Sequence, residues 1–195
     1  MLSLKKSLNI LKKTNALLEG HFVLSSGLHS SKYIQCAKLL SFPDKAEKIC
    51  KSLANKIKKN FTKIDLILAP AIGGIVIGYE IGRILKKETI FCERVKGKFV
   101  LRRGFKIKKG SKVLIVEDVI TTGKSSMECV KLIKKAKASI IGFASIIDRS
   151  TKKSLKIKKR IISHLKIDVP TYKSNSLPSE LKLIPITTPG SRFIK

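Results

Sequence analysis

Residues 113–125 read Val113-Leu114-Ile115-Val116-Glu117-Asp118-Val119-Ile120-Thr121-Thr122-Gly123-Lys124-Ser125. An aliphatic run delivers two adjacent carboxylates, a small polar loop follows, and a helical pattern begins at its end. The backbone N–H groups of that loop, with the positive end of the following helix, suit a phosphate, and the hydroxyls of Thr121, Thr122 and Ser125 add donors. Gly123 allows a backbone geometry that a side chain would obstruct. Glu117 and Asp118 would repel phosphate, so their use lies elsewhere. They suit sugar hydroxyls, or a magnesium ion held through water. The combination implies a ligand carrying both phosphate and ribose.

Spacing disfavours the rival phosphate and nucleophile motifs. A Walker A loop matches Gly123-Lys124-Ser125 but needs glycine where Asp118 stands. A G-x-S-x-G elbow beginning at Gly123 fails at Met127. The dinucleotide fingerprint G-x-G-x-x-G is absent around Gly73, Gly74 and Gly78. A plain strand followed by a capped helix accounts for the hydroxyls but leaves the acidic pair unexplained.

The elements that must position these residues follow from periodicity. Continuous apolar strands are expected at 65–69, 89–92, 112–117 and 139–147, alternating with helices at 75–85 and 125–135. Strands apolar on both faces belong to a buried, largely parallel sheet, so the fold class is α/β. Glu117 and Asp118 then lie at the carboxyl end of a strand, where open α/β sheets bind ligands. Before this core, 2–18 reads as an amphipathic helix, 22–24 and 32–35 as a hairpin around the serine-rich turn 25–31, and 43–59 as a helix opened by Ser41 and Pro43. The charged stretch 94–110, with Gly97 and Gly104, reads as a mobile excursion holding short strands at 99–101 and 105–107. Leu165, Ile167 and Val169 alternate with polar residues as one further strand, and the proline-rich tail from Pro170 reads as irregular. A single domain over 1–195 is expected, made of an N-terminal helix and hairpin (1–42), an α/β core (43–150) and a C-terminal strand and tail (151–195).

Composition narrows the partners. The chain has 195 residues, 43% of them hydrophobic, and a formal net charge of +29. Its lysines are spread through nearly every segment and aromatics are 6%, which argues against a nucleic-acid surface; the charge would still draw in small anionic substrates. The longest apolar run, 66–79, holds Pro70, Gly73, Gly74 and Gly78 and is shorter than the roughly 20 residues a membrane span needs, so no membrane association is expected. Leucines interleaved with Lys5, Lys6, Lys12 and Lys13 do not form a secretory signal. Cys36, Cys50, Cys92 and Cys129 are scattered, with neither a C-x-x-C pair nor a nearby histidine, and read as free thiols of a cytoplasmic protein. His21, His29 and His164 show no spaced partners; His29 is the one expected nearest a ligand.

Segment 113–125 resembles, nearly residue for residue, the motif by which type I phosphoribosyltransferases bind phosphoribosyl pyrophosphate (PRPP). Other segments are similar to the orotate phosphoribosyltransferases of that family. Phe22-Val23-Leu24-Ser25-Ser26-Gly27 with Ser30 and Tyr33 resembles their N-terminal hood, Ala69-Pro70-Ala71-Ile72-Gly73-Gly74-Ile75 their pyrophosphate loop, and Asp148-Arg149 their orotate-contacting turn. Val169-Pro170-Thr171-Tyr172 and Pro189-Gly190-Ser191-Arg192 resemble one branch near its end.

The resemblance implies a Rossmann-like central sheet flanked by helices, with a small hood from both termini. It implies transfer of the phosphoribosyl group to orotate in pyrimidine synthesis, magnesium bound through PRPP with no direct protein ligand, and a homodimer sharing its catalytic loop. By position, Glu117, Asp118, Val119, Ile120, Thr121, Thr122, Gly123, Lys124 and Ser125 would bind PRPP, the two acids on the ribose 2- and 3-hydroxyls. Arg94 and Lys98 would join them, and Arg94, Lys96, Lys98 and Asp118 would be catalytic. Thr121, Arg149 and Ser26 would contact orotate, and Ala71, Ile72, Gly73 and Gly74 would form the pyrophosphate loop, where the peptide joining Ala71 to Ile72 is often cis. The chain departs from better-known members in its shorter basic loop, in Ser25 and Gly73 where they have lysines, and in Ser176 and Ser179 where part of the branch has a cysteine pair, so no metal is inferred in the tail. Two alternatives stay open: a phosphoribosyltransferase for uracil or a purine, and an RNA-binding regulator on this fold.

Overall fold

The computed structural model describes residues 2–24, 26–151 and 154–188. In chain order the elements are α1 (Leu4–Lys13), β1 (Leu17–Val23), β2 (His29–Ile34), α2 (Cys36–Leu40), α3 (Pro43–Asn60), β3 (Leu66–Pro70), α4 (Gly73–Leu85), β4 (Glu88–Val95) and β5 (Lys98–Val100). They continue with β6 (Lys112–Ile120), α5 (Lys124–Lys135), β7 (Ser139–Asp148), β8 (Ile161–Lys166), β9 (Thr171–Tyr172), α6 (Ser179–Lys182) and β10 (Ile186–Thr187). The chain divides into two units, one made of Pro43–Ile167 and the first two residues, the other of Ser3–Phe42 and the chain after Ile167.

The larger unit is a six-stranded sheet in the order β5-β4-β3-β6-β7-β8, parallel except for the antiparallel β4–β5 edge. Every residue of β3 is buried, as a strand covered on both faces requires. Helix α3 starts with Pro43 at its first position and Asp44 in its first turn, and buries Ala46, Ile49, Cys50, Leu53, Ala54 and Ile57 at helical spacing. Helix α4 approaches β3 closely because Gly78 lacks a side chain: a Cβ there would lie 2.7 Å from that of Ala69.

The smaller unit carries a four-stranded sheet in the order β10-β1-β2-β9. Ser3 caps α1 by accepting from the Lys6 N–H. A register shift in the β1–β2 hairpin brings His21 and His29 to one face, with His21 Nε2 2.7 Å from His29 Nδ1. The Ile184 carbonyl, 3.1 Å from His21 Nδ1, can only accept, so that nitrogen donates to it.

Several expectations need correction. The N-terminal helix ends at Lys13, not Leu18, because Asn15 adopts a left-handed conformation (φ 53°) and Leu17 and Leu18 enter β1. The stretch 94–110 is not wholly an excursion. Lys96 and Gly97 both take positive φ, the geometry of a two-residue hairpin turn, and join β4 to β5. Phe99 and Ile107 enter the core, with Leu101 and Phe105 packed against it. No strand forms at 105–107, the last expected strand lies at 161–166, and the tail holds β9, α6 and β10. His21 and His29 are each other's partners. Ser25 and the segment 189–195 lie outside the described residues.

All four cysteines are buried. Cys92 and Cys129 place their sulfurs 3.5 Å apart, and that contact together with burial raises the Cys129 thiol pKa; burial pushes Cys50 up to about 12. Among the described residues no helix is long and apolar enough to cross a membrane.

Candidate active site

Strand β6 runs three residues further than its aliphatic stretch suggests, so Glu117 and Asp118 sit within the ladder and the polar loop leaves directly from Ile120. Glu117 is 8% exposed, and its carboxylate accepts from the Ser126 hydroxyl in the first turn of α5. Burial is the main cause that lifts its pKa to about 7; the Ser126 bond opposes the rise and the Asp118 charge adds to it. Burial also raises the Asp118 pKa, against a 2.9 Å hydrogen bond that the Val119 N–H donates to Oδ1.

The loop itself is open. Thr121, Thr122 and Lys124 are exposed, while Gly123 is buried with φ 71° and precedes the first residue of α5. The Lys124 N–H donates to the Thr122 hydroxyl at 3.3 Å, which fixes the loop's entry into the helix. Positive φ at Gly123 followed by helical residues turns successive N–H groups to one side, the arrangement that suits an anion.

Two neighbouring strand ends border this loop. At the end of β3 the Ala71–Ile72 peptide is cis and α4 begins at Gly73. Gly73 lies so near Asp118 that an added Cβ would come within 2.8 Å of its carboxylate, and a Cβ on Gly74 would lie 3.1 Å from the Val116 carbonyl. On the other side, Ile120 pairs with Asp148, and the Arg149 N–H donates to the Ile120 carbonyl at 2.8 Å. The Asp148 carboxylate accepts from the Ser150 N–H, which holds this turn against the start of the loop.

The β4–β5 hairpin holds Arg94 beside α5. Its guanidinium bonds Glu128 at 3.0 Å and lies 4.2 Å from the centre of the Phe99 ring. Lys96 and Lys98 are exposed at the hairpin tip. Ser26 is exposed in the β1–β2 turn of the other unit. The larger unit therefore gathers Glu117, Asp118, the loop 121–125, Gly73, Gly74 and Arg149, with Arg94 anchored on the helix that the loop starts. Among the described residues no three His, Cys, Asp or Glu side chains could together hold a metal ion; two adjacent acids form too small a set for a cage and suit a hard cation through water.

Sequence reasoning missed Ser126 and Glu128. Ser126 had a signal: with Cys129, Val130 and Ile133 it lies on the buried face of α5, and a polar residue there needs a partner.

The match to the family model described as "Phosphoribosyl transferase domain" covers residues 42–175. An orotate phosphoribosyltransferase of Parvibaculum lavamentivorans is 45% identical over 191 residues, covering 97% of this chain and 98% of that one. Another, of Caldicellulosiruptor saccharolyticus, is 46% identical over 188 residues, covering 96% and 97%. Among solved structures, the crystal structure of orotate phosphoribosyltransferase from Aeropyrum pernix superposes with a TM-score of 0.71 at 23% identity, over 82% of this chain and 92% of that one, a likeness of fold.

Proposed function

This chain belongs to the orotate phosphoribosyltransferase family, and from that premise we propose that PRPP binds across the carboxyl end of β6 and the loop 121–125, with orotate beside Arg149. The enzyme transfers the 5-phosphoribosyl group of PRPP to orotate, giving orotidine 5′-phosphate and pyrophosphate in pyrimidine synthesis. The observation that carries the site is the pair Glu117 and Asp118 near the end of β6, two residues before an open loop at the start of α5.

In this reading the 5-phosphate sits on the N–H groups and hydroxyls of Thr121 to Ser125, and Glu117 and Asp118 accept from the ribose 2- and 3-hydroxyls. Pyrophosphate leaves C1 with the bonding electrons, C1 gains oxocarbenium character, and a ring nitrogen of orotate attacks from the opposite face. The nearby carboxylates favour the positive charge on the sugar. The turn into α4, formed by Ala71, Ile72, Gly73 and Gly74, receives the pyrophosphate, whose charge Arg94, Lys96 and Lys98 stabilise. Arg94 is free to do so at low cost, because its ion pair with Glu128 is partly exposed and such pairs are weak. Magnesium, carried on PRPP with Glu117 and Asp118 near it through water, would neutralise charge on the departing oxygens. Arg149 presents a planar fork to the orotate carboxylate, which uracil lacks, while Thr121 contacts the ring.

The match across 97% of this chain supports one phosphoribosyltransferase domain over 1–195. A homodimer, in which the hairpin loop would serve the neighbouring site, is supported by the exposed apolar stripe of Ile72, just before α4, with Val76 and Tyr79 on that helix, which a second copy would cover. Free buried thiols suit a cytoplasmic enzyme. Pyrophosphate release from PRPP and magnesium, with orotate supplied, withheld, or replaced by uracil or adenine, tests the whole reading. Release that depends on orotate alone is expected; release with another base, or with none, would overturn it.

A further inference from the structure

The phosphate loop has a second wall that its own sequence motif does not contain. The Lys156 main-chain N–H donates to the Thr122 carbonyl at 3.0 Å. On either side of Lys156, Leu155 and Ile157 turn inward, and Ile157 meets Gly123 directly: a Cβ on that glycine would lie 2.7 Å from both Cγ1 and Cδ1 of Ile157, and 3.8 Å from Leu155 Cδ1. Ile157 is 6% exposed and belongs to the same apolar cluster as Ile120, Cys129 and Val130, which flank the loop on β6 and α5. The Lys156 side chain is exposed.

These contacts fix the direction of one peptide. The Thr122–Gly123 unit is planar and trans, so its C=O and N–H point to opposite sides. With the carbonyl engaged by Lys156, the Gly123 N–H is turned away from 155–157 and toward the open face of the loop. Glycine is the residue whose flanking peptides rotate most freely, so a loop built on Gly123 would otherwise sample orientations that present a carbonyl to an anion. Ile157, seated against the Gly123 Cα, blocks the movement that such a rotation needs.

We propose that 155–157 is a backstop that holds the phosphate loop in its anion-binding orientation, with Ile157 as a positioning residue and the Lys156 main-chain N–H, not its ammonium group, as the other half of the device. The inference rests on the reading of 121–125 as the 5-phosphate cradle. The pyrophosphate end of PRPP, received at α4, does not depend on it.

The test is calorimetric titration of the full chain with ribose 5-phosphate and, separately, with pyrophosphate and magnesium, alongside melting temperatures. Lys156→Pro removes the N–H donor, while Lys156→Ala keeps it and removes the charge. We expect Lys156→Pro to weaken ribose 5-phosphate about tenfold or more, with pyrophosphate affinity within about threefold of the parent, and Lys156→Ala to leave both in place. Ile157→Ala, which keeps every backbone bond, carries the same expectation, and Ile157→Val should restore affinity; this pair decides the matter if the proline variant does not fold. Unchanged ribose 5-phosphate binding in Lys156→Pro or Ile157→Ala would overturn the proposal, as would parallel losses for both ligands, the mark of general damage. A Thr121→Val, Ser125→Ala double variant separates the two levels. If it leaves ribose 5-phosphate binding untouched, the cradle reading fails and the backstop with it; if it weakens binding while Lys156→Pro and Ile157→Ala do not, the backstop alone is lost.

Discussion

Burial makes Glu117 titrate differently in the folded and the unfolded protein. Its pKa in the folded protein, about 7, lies above its ordinary 4.5. The group's contribution to stability is therefore fully present below 4.5 and is lost as pH rises through 7, so across that window the free protein weakens with rising pH. Ribose hydroxyls donate, and an ionised carboxylate is their better acceptor, so PRPP binding should expel this proton. PRPP affinity is expected to tighten about tenfold between pH 6 and 8, and Glu117→Gln should flatten that dependence beyond what the ligand's own titration leaves. Equal slopes in parent and variant would remove the assignment. Arg94→Ala should lower kcat by about 100-fold, as expected for losing one charged donor to a leaving group, with little change in melting temperature because its ion pair is exposed. Turnover within threefold of the parent would end its catalytic role. Arg149→Lys keeps the charge but loses the fork, and should raise the KM for orotate about tenfold while leaving that for PRPP nearly unchanged.

At the level of elements, α4 must carry Gly73 to the Asp118 carboxylate, and Gly78 sets how near that helix comes to β3. Gly78→Ala would press a methyl into Ala69 and should cost about 1–3 kcal/mol, read as a lowered urea midpoint with an unchanged slope. The alternation of strands and helices was legible because parallel strands buried on both faces, such as β3, are continuous aliphatic runs. The strand order, with β3 between β4 and β6, was not, since pairing is settled by packing between distant segments. The carboxylate pair and its loop were legible because they are contiguous. Arg94's counter-ion Glu128 and the wall at 155–157 were not, because they lie outside the loop's own motif and are brought to it by folding. The hairpin at Lys96 and Gly97 hid for another reason. Its charged residues resemble a solvated loop, and only Phe99 and Ile107 betray the side that packs inward.

The molecule as a whole carries a charge of +29, so capture of a polyanionic substrate should be strongly screened. Raising salt from about 50 to 500 mM is expected to lower kcat/KM for PRPP by about tenfold while changing kcat little. A salt-independent kcat/KM would show that the charge plays no part in substrate capture. If the hairpin loop serves the neighbouring subunit, Arg94→Ala and Asp118→Asn proteins, each nearly inactive, should recover about a quarter of parent activity when unfolded and refolded together, because half the dimers would be mixed and each would own one intact site. No recovery would place the hairpin's work within its own subunit. The sealed thiols offer a way to watch that hairpin. With all four native sulfurs buried, Cys50 and Cys129 further disfavoured as thiolates, a cysteine placed at Lys96 would be the one position that a maleimide dye reaches. A fluorophore there could report the hairpin leaving Glu128 in real time, without first stripping the protein of its own cysteines.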